Sequence, residues 1–278
     1  MKFTSLTQRF AVWFTLVSLL PILFIGNSLL HTFETEIKEA AIQKVSAIAD
    51  KKVEQIDSYL LERLSDVYLV SGMNTTHEAI VKLTEAFEQH GVDSDEYRQL
   101  DANYRESFKR FLDYARYYDL FLISTQGTMI YSQAHESDFP TNLRTGRYRD
   151  TGLGKVTRHA LDNLQSSISD FEYYEPSKGA IAAFVATPIM IDGEIRGVLA
   201  LQIYSHLVFS VISNNVGLSN SGETIVARLE NDQTALVMAP LKYDLDAALK
   251  RKIPLDNPPF STAIQYALNG DSGGALTV

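Results

Sequence analysis

Residues 180–204 read AIAAFVATPIMIDGEIRGVLALQIY. Ala180 to Ile191 and Glu194 to Tyr204 form two apolar runs, and Asp192-Gly193 between them is the strongest short hairpin signal in the chain. Working back from this hairpin, a helix is expected near Leu153 to Leu164, preceded by a polar loop that begins after Ser132 and runs to about Asp150. Before the loop, Leu120 to Ser124 and Thr128 to Ser132 flank the turn Thr125-Gln-Gly127. Strand, turn, strand, long loop with helix, then hairpin is an antiparallel sheet with helices packed on it, an α+β plan. A shorter echo follows a helix at His206 to Asn214. Thr224 to Leu229 and Ala235 to Met238 flank Asn231-Asp232, and Ala275 to Val278 starts another strand. The echo is incomplete, so the chain is expected to be a fragment of a longer protein.

Toward the N-terminus the period becomes helical. Glu96 to Tyr117 carries Tyr97, Leu100, Tyr104, Phe108, Phe111, Leu112 and Ala115 at helical spacing, with Ser94 placed as an N-cap after the loop at Gly91. Ile37, Ala41, Val45, Ala49, Val53, Ile56, Leu60, Leu64 and Val67 follow at steps of three or four, with no Pro or Gly from Thr32 to Ser71. One stripe on so long a helix needs a partner, which predicts a parallel homodimer along it. Phe10 to Leu30 carries no charge, and at about 1.5 Å per residue it spans a bilayer core. Lys2 and Arg9 precede it and Glu34, Glu36 and Glu39 follow, which keeps the N-terminus in the cytoplasm. The run is long for a signal peptide and no A-x-A-like cleavage site follows, so an uncleaved anchor is expected.

The 278 residues carry a formal charge of −9, no cysteine, 45% apolar and 10% aromatic residues. All but Lys2 and Arg9 of the 25 basic side chains lie beyond residue 30, with all 34 acidic ones, a net −11 outside the membrane. Such a surface does not suit a nucleic-acid partner. The lack of cysteine excludes disulfides, thiolate metal sites and a cysteine nucleophile.

Specific stretches then point to a family. Tyr117-Tyr-Asp-Leu-Phe-Leu-Ile-Ser124, Asp138-Phe-Pro-Thr-Asn-Leu143, Gly146-Arg-Tyr-Arg-Asp-Thr-Gly-Leu153 and Asp170-Phe-Glu-Tyr-Tyr-Glu-Pro-Ser177 resemble the membrane-distal half of a double Cache sensor domain. So do Ala182 to Ile189 and Gly197 to Ile203. Ser221-Gly-Glu-Thr224, Ala239-Pro-Leu241 and Ile253-Pro-Leu-Asp256 resemble the opening of its membrane-proximal half. The resemblance covers about residues 32–278. It implies the extracytoplasmic (periplasmic) small-molecule sensor of a bacterial inner-membrane receptor: a histidine kinase, diguanylate cyclase or chemotaxis receptor. Such sensors are dimers on a long N-terminal helix carrying two PAS-like antiparallel-sheet modules, the second incomplete here. The organisation expected is a cytoplasmic N-terminus at 1–9, a transmembrane helix at 10–30 and a helical stem at 31–118. A membrane-distal module at 119–205 and the start of a proximal module at 206–278 complete it. The output domain would lie beyond a second membrane helix.

Pocket-facing residues of such a module come from central strands and the loop that covers them. These are Tyr131 on a strand, Arg147 and Tyr148 on the covering loop, and Asp170, Tyr173 and Glu175 on the segment entering the hairpin. Together they suit a small polar or charged ligand. Amino-acid-binding members of the family share a pattern beginning Arg-x-Trp-Tyr and ending Tyr-x-Asp before Thr-Gly. Tyr173-Tyr-Glu175 with Lys178-Gly179 resembles its end, but the only Trp is Trp13, in the membrane run. Carboxylates, amines, purines and polyamines all remain open.

No catalytic residue, metal site or cofactor is expected in this segment. Gly270-Asp-Ser-Gly-Gly274 matches the nucleophile motif of trypsin-like proteases, which makes a membrane-anchored serine hydrolase one alternative. Neither His77 nor His159 has the surroundings of the required base, and two β-barrels are lacking, so a turn is expected. Gly152-Leu-Gly-Lys155 lacks the first glycine and the Ser or Thr of a phosphate loop and reads as a helix N-terminus. His135, Glu136 and Asp138 read as a solvated polar loop. A purely structural membrane-tethered dimer is the third class, and it leaves the loop chemistry of residues 119–204 unexplained.

Overall fold

A computed structural model describes residues 6–220, 222–256 and 260–270. Lys52–Pro254 form one compact unit, and the remaining described residues fall into another. The helix α1 (Leu6–Ser71) runs through both, with Pro21 inside it. In the first unit its apolar residues, Phe10, Trp13, Phe14, Val17 and Phe24 among them, are exposed. This stretch is long and apolar enough to cross a membrane. The same unit holds α6 (Phe260–Leu268), where Gln265 Nε2 donates to the Leu255 carbonyl at 2.7 Å.

In the second unit α1 is followed by α2 (Asn74–His90), α3 (Asp95–Ala115), β1 (Tyr117–Ile123) and β2 (Met129–Ser132). Then come α4 (Gly152–Asn163), β3 (Ser167–Ile168), β4 (Glu172–Tyr174), β5 (Ala180–Ile191) and β6 (Glu194–Tyr204). The strands form one antiparallel sheet in the order β2-β1-β6-β5-β3, with β4 also pairing β5. The hairpin closes as the sequence predicts: Ile191 faces Glu194, and Asp192 and Gly193 have φ of 53° and 81°. Positive φ at both central residues is what a two-residue turn between twisted strands requires.

Both faces of the sheet are covered, which is why its strands read as continuous apolar runs. Leu120 and Leu122 join Val185, Leu199 and Leu201 against α1, α2 and α3, through Val67, Ile80, Leu83, Phe108 and Leu112. Phe121 and Ile123, turned the other way, join Phe184, Ala186, Val198 and Ala200 under Leu143, Tyr148 and α4. Ser94 Oγ caps α3 by accepting from Tyr97 N at 3.1 Å, and Thr151 Oγ1 caps α4 from Gly154 N at 3.3 Å. Helix α2, strand β3 and strand β4 are elements that the sequence reading does not place.

A second, three-stranded antiparallel sheet has the order β7 (Ala227–Asn231), β8 (Thr234–Val237), β9 (Lys252–Pro254) and follows α5 (Ser205–Ser213). The strand expected at Ala275 lies outside the described residues. Ile56 and Tyr59 of α1 pack on Val208 and Ile212 of α5. Buried Lys52 donates to the Ile212 carbonyl at 2.7 Å and to Thr224 Oγ1 at 2.6 Å, a favourable place for a cation at a helix C-terminus. Arg63 lies between the rings of Tyr59 and Tyr117, 4.8 Å from each centroid, and donates to the Ala115 carbonyl at 3.1 Å. The stripe expected to meet a second copy is thus partly spent within the chain. Val67 is buried, and Ile56 and Leu64 pack against the chain's own core. Val53, Leu61 and Tyr68 remain exposed, within about 80° of arc on the helix.

Candidate functional site

The sequence places one acid, Asp119, inside the apolar run of β1, and it is 1% exposed. Its Oδ1 accepts from the backbone N–H of Leu120, Gln133 and Ala134 at 2.7, 2.8 and 3.0 Å, and its Oδ2 from Ser132 Oγ at 2.8 Å. Ser132 Oγ in turn accepts from His135 N at 3.0 Å. The turn after β2 therefore hangs from this carboxylate, which fixes the direction in which residues 133–138 leave the sheet.

That direction carries Glu136, Ser137 and Asp138 over a row of hydroxyls. Tyr118 Oη and Ser177 Oγ each donate to Glu136 at 2.6 Å, and Gln202 Nε2 donates to Ser177 Oγ at 3.0 Å. Tyr174 Oη donates to Asp138 Oδ2 at 2.5 Å. Tyr148 Oη donates to Glu175 at 2.7 Å and meets Ser137 Oγ at 3.3 Å. The rings of Tyr148 and Tyr174 lie 6.2 Å apart, and Tyr174 sits edge-on to Phe184 at 4.7 Å. Asp138 is 1% exposed, and its Oδ1 is buried with no hydrogen-bond partner. The loop expected to be solvated is buried at this residue, because Tyr174 beneath it requires an acceptor.

Carboxylates dominate the cluster. Burial pushes Asp119 up to about 7 despite its four donors. Burial also raises Asp138, and Glu136 and Glu175 add to the effect. The hydrogen bond to Glu136 pushes Tyr118 up to about 12. Arg147 reaches the cluster from the surface, 3.5 Å from Glu175, with its guanidinium 5.4 Å from the Tyr148 ring centroid. Low-dielectric acidic surroundings of this kind suit a bound positive charge.

Of the six residues singled out in the sequence, Arg147, Tyr148 and Glu175 come together here. Tyr131 does not: it faces the helices, fully buried, with its ring 5.3 Å from Phe108 and its hydroxyl on Gln133. Tyr173 points away from Tyr174, as strand neighbours must, and donates to the Ala248 carbonyl at 3.0 Å. Asp170 lies apart from the cluster, paired with Arg228 at 2.5 Å. Asp119, Asp138 and Tyr174 are the residues the sequence reading misses. An acid inside an apolar strand is the one signal that marks Asp119 in advance.

The other motifs resolve simply. Gly152-Leu-Gly-Lys155 is the first turn of α4, and its Gly152 N–H donates to Glu172 Oε1 at 2.6 Å. Residues 271–274 of the Gly-Asp-Ser-Gly-Gly motif lie outside the described residues.

No family model and no curated protein matches the chain. Solved structures do. The sensory domain of the Campylobacter jejuni chemoreceptor Tlp3 with isoleucine bound aligns at a TM-score of 0.54 and 12% identity, over 86% of this chain and 83% of that one. The Tlp3 ligand-binding domain in complex with L-valine aligns at 0.52 and 14% identity, over 86% and 84%. The sensor domain of the Vibrio cholerae histidine kinase DctB aligns at 0.42 and 15% identity, and this chain spans only 60% of its length. The chain shares its fold with the Tlp3 sensory domain. At these identities the likeness is one of fold.

Proposed function

We propose that this chain is the extracytoplasmic sensing part of a membrane-anchored signal-transduction receptor, and that its sheet-and-loop site binds a small molecule through an ammonium group. The observation that carries the reading is Asp138 Oδ1, a buried carboxylate oxygen without a partner, beside Tyr174 and Tyr148. A stranded buried acceptor costs about 1–3 kcal/mol, which a donor from a ligand recovers. An ammonium offers three donors and is attracted to aromatic faces. Isoleucine and valine, bound by the Tlp3 domains of like fold, both carry such a group. Here Arg147 is occupied by Glu175, which favours simple amines over α-amino acids.

Thermal melting of the intact chain in detergent micelles tests this. Putrescine is expected to raise the melting temperature, by about 5–10 °C at a hundred times its Kd, whereas the neutral butane-1,4-diol is not. Asp138→Asn should abolish the shift. A full putrescine shift in that variant, or none in the natural chain, rules the amine site out.

In the same reading Phe10 to Leu30 spans the inner membrane and residues after 30 are periplasmic. Two chains pair along α1 through Val53, Leu61 and Tyr68, the face its own domain leaves exposed. Leu61→Glu is then expected to weaken the dimer in sedimentation while leaving melting within about 0.5 kcal/mol of the natural chain. Ile56→Asp, on the inward face, should instead lower the melting temperature. A dimer unaffected by Leu61→Glu would place the interface elsewhere.

A further inference from the structure

Away from the acidic cluster, a cleft of about 490 Å³ opens between the start of α4, strand β3 with the segment after it, and Arg228 of β7. That volume is in the range of small-molecule sites. We propose that it binds a small organic carboxylate, with Lys155, Ser167 and His159 as the anion's donors and Val156, Ile168 and Phe171 against its apolar body. The proposal goes beyond the amine site and does not depend on it.

The reason lies in which polar groups are already spent. Asp170 is taken by Arg228 at 2.5 Å, and Glu172 Oε1 accepts the Gly152 N–H at 2.6 Å. The donors, by contrast, are unused. The Lys155 ammonium makes no hydrogen bond or ion pair with a described residue. Ser167 Oγ is buried and has no partner. His159 Nδ1 lies 2.9 Å from Asn163 Nδ2. An amide NH₂ only donates, so Nδ1 accepts and the proton of the neutral ring stands on Nε2, free to donate. Lys155 and His159 are one turn apart on α4, so both address one face of the cleft. A carboxylate accepts from all three groups, and a neutral or cationic ligand leaves the Lys155 charge without a counter-ion. An occupant touches both β3 of the six-stranded sheet and β7 of the three-stranded one, which makes the site a brace between the two sheets.

The test uses benzoate as probe, benzamide as its neutral counterpart, and the intact chain in detergent micelles. Calorimetric titration should show benzoate binding at millimolar concentration and benzamide failing to bind. Benzoate should also slow acetylation of Lys155 by acetic anhydride, read by mass spectrometry, without slowing that of Lys82. Lys155→Ala is expected to weaken benzoate binding about tenfold or more, and Ser167→Ala by several-fold. Lys82→Ala, which removes an exposed charge on α2, should leave it unchanged. Absence of benzoate binding, equal binding of benzamide, or full affinity in Lys155→Ala each overturns the site.

Discussion

Replacing Asp119 by alanine is expected to destabilise the 52–254 unit by about 4 kcal/mol, because the buried Leu120 N–H and the Ser132 hydroxyl lose their acceptor, together with the part-buried N–H groups that hold the turn after β2. The donors are those of Leu120, Gln133 and Ala134, all within 3.0 Å of Oδ1. For a unit of this size the melting temperature should fall by about 10 °C, and the putrescine shift should vanish with the loop that carries Asp138. Asp119→Asn keeps an acceptor oxygen for the backbone and is expected to retain most of the stability. The pair also differ from the natural chain in their pH dependence. Burial raises the carboxyl from its ordinary 3.8 to about 7. Between those values the folded chain holds a proton that the unfolded chain has released. Stability therefore declines as pH rises from about 4 to about 7 and is level beyond, a difference on the order of 4 kcal/mol. Asp119→Asn cannot ionise, so this contribution disappears from its profile. Chemical denaturation across that range checks both statements. A natural-like midpoint for Asp119→Ala would mean that the turn after β2 is held by something else.

Gly197→Val should have an effect of similar size for a steric reason. A Cβ at this position of β6 would overlap the carbonyl oxygen of Ile123 and lie 2.7 Å from Ile80 Cδ1. The first neighbour is backbone of β1, paired to β6 through Ile123 and Val198, and cannot swing aside as a side chain does. The second belongs to α2 and is fully buried. Overpacking that moves backbone typically costs 1–3 kcal/mol and more where strands must separate, so about 4 kcal/mol is expected. Gly91, where an added Cβ meets nothing, gives the comparison of a glycine constrained only by its positive φ of 80°. Cooperative unfolding of Gly197→Val at a denaturant midpoint close to that of the natural chain would show that β1 and β6 do not meet in this register.

Much of the fold is legible one residue at a time. The turn Asp192-Gly193 is a local event, decided by which residues tolerate positive φ, and it sets the central hairpin. The cap at Ser94 and the start of α4 after Thr151 are equally local, since a side-chain oxygen three residues from an N–H decides them. Helix α2 buries Thr76, Ala79, Ile80, Leu83 and Ala86 at helical spacing, a stripe the sequence carries but in which only Ile80 and Leu83 are large and apolar. Strands β3 and β4 have two and three residues, too few for any period.

The site divides along the same line. Arg147, Tyr148 and Glu175 come together because a covering loop and a segment entering a hairpin meet at the edge of the sheet. Which of Tyr173 and Tyr174 looks inward is a matter of strand parity. That parity is fixed by pairing with Ile181 and Ala180 of β5, across the turn that follows Tyr174. Tyr131 faces the helices for the same reason, since its pairing with Leu122 of β1 puts the two side chains on one face of the sheet. The sequence alone determined the apolar N-terminal run, the long helix and the antiparallel hairpin, all short-range consequences of hydrophobic period and turn chemistry. Only the tertiary structure decided that Asp119 suspends the loop, that Asp138 is buried with an oxygen to spare, and which face of α1 remains exposed. Those outcomes depend on which distant surfaces exclude water together, and no local period encodes that.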